Sequence, residues 1–154
     1  MSILMENEII SDGEIYLKLR EKFEGDTTTG FVPEYKFDIL LCKTNEIIGK
    51  INLRIGNTEK IKKYIGHIGY GIKEEYRGNR YSAKACNLLK KLAIENNIDK
   101  IIITCNPNNY PSRRICDIIG AKFIEIVDVP PEIGDKDKQK CRYEWAVVPV
   151  TNHW

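Results

Sequence analysis

The sequence predicts an α/β fold, a mixed and mostly antiparallel central sheet with flanking helices. Three observations predict it. Residues 14–72 hold successive short segments in which apolar and polar side chains alternate, the period of strands. From about residue 82 onward, helix-period segments alternate with strands, and such units place their helices against a sheet. The change of rhythm falls at Tyr76-Arg77-Gly78-Asn79-Arg80-Tyr81-Ser82, a short turn bearing arginine and glycine.

Taken in order, Glu14 to Arg20 alternates apolar and charged residues and reads as the first strand. Gly25 to Val32 carries threonines and glycines and reads as a loop. Tyr35 to Leu41 is the next strand, and the turn Lys43-Thr44-Asn45-Glu46 joins it to Ile47–Ile55 as a hairpin. A charged connection from Gly56 to Lys63 leads to a strand expected over Tyr64–Ile72. The helix from about residue 82 puts Ala85, Leu88, Leu89 and Leu92 on one face, with Lys84, Lys90 and Lys91 off it, and ends at Asn96-Asn97. Lys100 to Cys105 is a short, continuously apolar strand, as expected of one buried on both faces. Asn106 to Asn109 turns the chain into a second helix at about Tyr110–Ile119. Asn109 stands as its N-cap, Pro111 in its first turn and Gly120 just past its end. Ala121–Val129 and Cys141–Val148 are the last strands, separated by a polar loop, Pro130–Lys138.

The turn at residues 76–82 is the informative place. Free backbone N–H groups open the helix, and its dipole adds partial positive charge, so a strand, a glycine turn and a helix start can together hold an anion such as a pyrophosphate. The plainer alternative is that Arg77 and Arg80 are surface arginines.

A chain of 154 residues is expected to form a single domain, residues 1–154, with a real core. Its 24 basic and 22 acidic residues give a net charge of +2, which argues against a dedicated nucleic-acid binder. Neither G-x-x-x-x-G-K-[ST] nor G-x-G-x-x-G occurs. The five cysteines are odd in number and lack C-x-x-C spacing, so reduced thiols in a cytoplasmic protein are expected, with no metal site. No basic segment precedes a long apolar run near the start and no apolar run is long enough to span a bilayer, so neither a signal peptide nor a membrane partner is expected.

The strand-to-helix junction and the segments C-terminal to it resemble the GNAT superfamily of acyl-CoA-dependent N-acyltransferases, in particular its ribosomal-protein-type branch. The family signature is Q/R-x-x-G-x-G/A at such a junction. Arg77 matches its first position, while Arg80 stands where the family has glycine and Ser82 where it has Gly or Ala. Ile68-Gly69-Tyr70 is similar to the I-G-Y of the preceding strand. A second family pattern, N-x-x-(S/A)-x-x-(L/I)-Y-x-x-x-G-(F/A), maps onto Asn109, Ser112, Ile115, Cys116, Gly120 and Ala121, with Cys116 in place of the usual tyrosine. The resemblance covers roughly residues 14–148.

The resemblance implies a V-shaped splay between two parallel strands, with acetyl-CoA as co-substrate in the gap. Tyr70, Gly71 and Ile72 would lie beside the pantetheine, and Arg77, Gly78, Asn79, Arg80, Tyr81 and Ser82 at the pyrophosphate, with Asn109 and Ser112 as further cofactor-binding candidates. The implied reaction is direct attack of a primary amine on the thioester. His67, where the family often has Glu, is the candidate base, and Cys116 the candidate acid. For each there is a plainer alternative: a histidine bonded to a neighbouring strand, and a small apolar filler on the second helix. Glu34, Tyr35, Glu144 and the loop Pro131–Lys138 are acceptor-site candidates. The one or two helices that the family places between its first two strands have no counterpart here, so a shallow acceptor site, or one completed by a homodimer partner, is expected. The acceptor itself is open between a small molecule and a peptide. A catalytically inactive acyl-CoA-binding sensor or assembly module is the alternative function.

Overall fold

The computed structural model describes residues 9–26, 28 and 30–147. Eight strands and two α-helices follow one another as β1 (Ile9–Ser11), β2 (Ile15–Phe23), β3 (Glu34–Leu41), β4 (Ile47–Arg54), β5 (Ile68–Ile72), α1 (Tyr81–Glu95), β6 (Lys100–Cys105), α2 (Tyr110–Ile119), β7 (Lys122–Asp128) and β8 (Gln139–Ala146). They build two sheets, one in the order β1-β2-β3-β4-β5 and one in the order β6-β8-β7, and every ladder in both is antiparallel.

Alternation along the strands decides what each sheet face carries. Tyr35 lies opposite Leu53, which lies opposite Ile68; Phe37, Ile51 and Tyr70 form the next such row. These rows face the same core as Ala85, Cys86, Leu89, Leu92 and Ala93 of α1. Burying a side chain the size of Phe37 or Leu89, both fully enclosed, stabilises the fold by roughly 1.5–3 kcal/mol each. The opposite face is polar, with Glu34 across from Arg54, Lys36 across from Asn52 and Asp38 across from Lys50.

The continuous strand expected over Tyr64–Ile72 is interrupted. Ile61–Ile65 forms a single wide helical turn, Gly66 follows at φ 71°, and the strand begins only at Ile68. Gly66 is needed for space as well as for its dihedral, because a Cβ there would lie 2.8 Å from the Ile102 carbonyl oxygen. Strand β1 was not expected, since three residues carry too little alternation to register. Val148, the end of the expected last strand, lies outside the described residues.

Gly66 and His67 mark the place where the two sheets are stitched together. The His67 amide donates to the Ile102 carbonyl at 2.7 Å. The Ile102 amide returns a bond to His67 Nδ1 at 2.9 Å, and His67 Nε2 donates to the Gly56 carbonyl at 2.8 Å. Thr104 Oγ1 adds a bond to the Tyr64 carbonyl at 2.8 Å. Both β5 and β6 start at this junction and so run in the same direction, yet no ladder joins them among the described residues. They part toward their C-terminal ends, giving the V-shaped splay that the resemblance implied.

Strand β5 then leads through a single 3-10 turn, Glu74–Tyr76, to the start of α1. Two residues here have positive φ, Gly78 at 89° and Arg80 at 60°. Arg80 therefore holds the left-handed conformation at the position where the family has glycine. Among the described residues no side chain caps the helix it precedes.

Three consequences can be measured by urea denaturation. His67→Ala leaves the buried Ile102 amide and the half-buried Gly56 carbonyl without partners and should lower stability by about 2–4 kcal/mol. Burial also holds the His67 imidazole below its ordinary value of 6.5. The unfolded chain therefore takes up the proton more readily, so the wild type should keep its stability above pH 6.5 and lose it as pH falls below that value. Arg80→Gly removes the left-handed strain and should raise stability by about 0.5–1 kcal/mol.

Candidate active site

The splay between β5 and β6 opens into a cleft of about 660 Å³. Its walls are Ile68–Ile72 on one side and Thr104–Asn106 on the other, with the start of α1 and the first turn of α2 at its mouth. Tyr70, Gly71, Ile72, Arg77, Gly78, Arg80, Tyr81, Ser82, Asn109 and Ser112 all line it. Of the cofactor candidates read from the sequence, Asn79 does not, and its side chain turns back to the Tyr76 carbonyl at 3.2 Å.

The structure explains why these residues arrive together. Strand β5 pairs with β4 along one edge and, among the described residues, has no ladder on the other, which faces the cleft. Arg77 Nε donates to the Ile72 carbonyl at 3.1 Å, tying the end of the strand to the turn after it. Asn109 accepts from the Ser112 amide at 3.2 Å and so caps α2 while lining the cleft. The Tyr70 and Ser112 hydroxyls lie 2.7 Å apart, a bond that crosses from β5 to α2. Burial pushes the Tyr70 phenol well above its ordinary value, so it stays protonated through the neutral range.

Both catalytic candidates read from the sequence sit elsewhere. His67 is fully buried outside the cleft lining, and each ring nitrogen is committed to a backbone group. No lone pair is left for an incoming amine, and the expectation of a general base does not fit this geometry. Cys116 is fully buried among core residues on the inner face of α2, where burial pushes its thiol far up. It does not line the cleft, so the expectation of a proton donor there does not fit either. Each matches the plainer alternative weighed for it. The thiol in the cleft wall is instead Cys105, 5% exposed, with Ser112 beside it and its own ionisation disfavoured by burial.

The acceptor candidates divide. Tyr35 belongs to the core, with Lys22 Nζ 5.4 Å from its ring centre, and is not available to a ligand. Glu144 pairs with Lys100 at 3.3 Å and lines neither cavity. Glu34 does line a second cavity of about 240 Å³, bounded by Phe23, Phe31, Val32, Ile61 and Ile65. From the loop after β7, Asp135, Lys136 and Asp137 reach the main cleft.

Two features were not legible in the sequence. Arg54 lines both cavities; its guanidinium donates to the Ile65 and Gly66 carbonyls at 3.3 and 3.2 Å and lies 4.0 Å from Glu34. The parity of β4 would have placed it on the polar face with Asn52, but nothing in the sequence sets it against the turn at residues 61–65. Lys140, nearly buried, is held between Asp137 at 2.8 Å and Asp135 at 3.2 Å, and Asn106 Nδ2 donates to Asp137 at 3.0 Å. The Lys140 ammonium keeps the Asp137 carboxyl below its ordinary range.

Among the described residues, no group of three His, Cys, Asp or Glu side chains is placed to hold a metal ion, and no helix is long and apolar enough to cross a membrane.

Solved structures share this architecture. A proposed ribosomal-protein-serine acetyltransferase from Vibrio cholerae superposes with a TM-score of 0.67 at 16% identity, over 93% of this chain and 99% of that one. A ribosomal L7/L12 α-N-protein acetyltransferase in complex with coenzyme A gives 0.66 at 12% identity, over 90% and 98%. A GNAT-family acetyltransferase from Bacillus anthracis gives 0.57 at 24% identity, over 73% and 66%. Among curated proteins none matches. The acetyltransferase (GNAT) domain family matches residues 9–122, most of the chain. The open βαβ wedge, the helix start at its mouth and this match agree: the chain belongs to the GNAT family of acetyl-CoA-dependent acetyltransferases.

Proposed function

We propose that this protein transfers an acetyl group from acetyl-CoA to a primary amine by direct attack of the amine on the thioester. The observation that carries this reading is the coincidence, in one cleft, of a strand edge and a helix start that are unpaired and uncapped among the described residues. The pantetheine amides pair with the free edge of β5 as an added strand would. The pyrophosphate meets the amides from Gly78 to Ser82, favoured by the helix dipole, with Arg80 beside them. Positive φ at Gly78 and Arg80 turns that backbone sharply at the cleft mouth. Coenzyme A bound to a protein of this fold supports the assignment.

Direct transfer is favoured over an acyl-enzyme. The thiol in the cleft wall, Cys105, is kept protonated by burial, and a thiol rather than a thiolate is a poor nucleophile. As the amine adds, charge develops on the thioester oxygen, and we assign its donor to a β5 amide within Tyr70–Ile72. The amine attacks as the neutral base, its ammonium proton having gone to water, and the proton its nitrogen sheds on forming the amide passes to the leaving thiolate as the carbon–sulfur bond breaks. The Tyr70–Ser112 hydroxyl pair stands at that wall and relays this proton, accepting one as it gives one up. This hydroxyl pair takes the place of the tyrosine that the family usually carries where this chain has Cys116.

Calorimetry with acetyl-CoA and measurement of released CoA thiol test the reading. Ser82→Asp puts a negative charge in the first turn of α1, which suits the helix dipole but repels phosphate. Thermal stability should hold or rise while affinity for acetyl-CoA falls at least about tenfold. Tyr70→Phe should lower kcat by about 10²-fold with acetyl-CoA affinity little changed. Binding without thiol release across a broad amine panel would instead indicate an inactive acyl-CoA-binding module. No binding at millimolar acetyl-CoA would overturn the reading altogether.

A further inference from the structure

The second cavity shares Arg54 and Ile65 with the lining of the main cleft. Its described lining combines five apolar side chains, Phe23, Phe31, Val32, Ile61 and Ile65, with a single carboxylate, Glu34. We propose that this cavity selects the acceptor: a primary amine with one positive charge, attached to an apolar substituent about the size of one side chain. The proposal rests on the reading that acetyl-CoA occupies the main cleft, and it names the substrate class for that reaction.

The geometry supports each part of this specification. Arg54 lines both cavities, so a group held in the second one adjoins the first. One oxygen of Glu34, Oε2, takes the Asn52 side-chain amide at 3.0 Å and lies 4.0 Å from Arg54 Nε. Its other oxygen has no partner among the described residues and is open to an N–H of an incoming ammonium. The pair with Arg54 is long enough that a closer ammonium competes with it for the carboxylate. At about 240 Å³ the space is below the ~300–1,000 Å³ that encloses a whole drug-sized ligand, so it admits one substituent.

The same walls reject other amines. Arg54 and Lys60 line the cavity against one carboxylate, so the second ammonium of a polyamine or an aminoglycoside meets like charge. A polyhydroxylated body would lose water to the apolar walls without gaining hydrogen bonds there. Phe31 is 62% exposed and Phe23 41% exposed, which leaves aromatic surface at the rim for the substituent to cover. Glu34 pairs in register with Arg54 on the polar face of the five-stranded sheet, so the carboxylate is held by a strand rather than by a loop.

The two sources of such an amine are a free arylalkylamine and the N-terminus of a polypeptide whose first side chain is apolar. Kinetics with acetyl-CoA and 2-phenylethylamine, a leucine-initiated tetrapeptide, spermidine and an aminoglycoside separate them, with acetyl-CoA binding followed by calorimetry for every variant. The expected result is a kcat/KM for 2-phenylethylamine or the tetrapeptide at least about tenfold above that for spermidine or the aminoglycoside. The better of the first two identifies the source. Phe31→Ser, at an exposed side chain, should cut that preference about fivefold or more, and Glu34→Gln should raise KM for the preferred amine. Both variants should bind acetyl-CoA as the wild type does. Preference for spermidine or the aminoglycoside, an unchanged preference in Phe31→Ser, or acetyl-CoA binding with turnover of none of the four would overturn the proposal. Absence of acetyl-CoA binding in the wild type would strike the underlying reading instead.

Discussion

The rest of the molecule depends on the bonding between His67 and Ile102. Two β-sheets with unpaired edges would ordinarily complete each other, because each open edge exposes a row of donors and acceptors. Here the backbone and imidazole of His67 join the sheets at one end, beside the Thr104–Tyr64 bond, and Gly66 removes the Cβ that would hold them apart there. Past that point β5 follows β4 and β6 follows β8, and the wedge between them opens. The cleft is thus a by-product of incomplete sheet pairing. The same incompleteness leaves the edge of β5 free for a ligand with amides of its own.

The mouth of the wedge adds charge to that edge. A strand that ends at Ile72 and a helix that starts at Tyr81 are joined by a turn with two positive-φ residues, and the helix start is left without a side-chain cap. Capping would satisfy those amides internally and stabilise the helix by about 1 kcal/mol. Leaving them open favours an anion. Arg80 accepts the conformational cost of a left-handed residue and places a permanent cation where the family pattern has only glycine.

On the opposite side, the sheet face carries Glu34, Asn52 and Arg54. Among the described residues no helix lies between β2 and β3; their connection folds back on itself at the Asp26–Phe31 bridge. That connection is the segment in which the family places one or two helices. A small apolar recess remains, with a strand-held carboxylate in its lining. The two cavities share Arg54 and Ile65 in their linings, and on the proposed function one receives each substrate.

The sequence by itself determined the elements and their faces. Alternation in β2, β3 and β4, the apolar stripe of α1 and the unbroken apolar run of β6 are local properties, readable because side-chain period and burial are coupled within each element. The family resemblance located ten of the residues that line the wedge, since backbone-mediated binding sites travel with a contiguous turn. The tertiary structure decided which polar side chains are free to act. His67 and Cys116 occupy plausible places in the chain, but whether a nitrogen keeps its lone pair or a thiol meets solvent depends on what packs against it from distant segments. In this fold Gly56 and Ile102 take both nitrogens of His67, and the core encloses Cys116. The hydroxyl pair of Tyr70 and Ser112, separated by 42 positions, and the placement of Arg54 between two cavities exist only once the strands and helices have met.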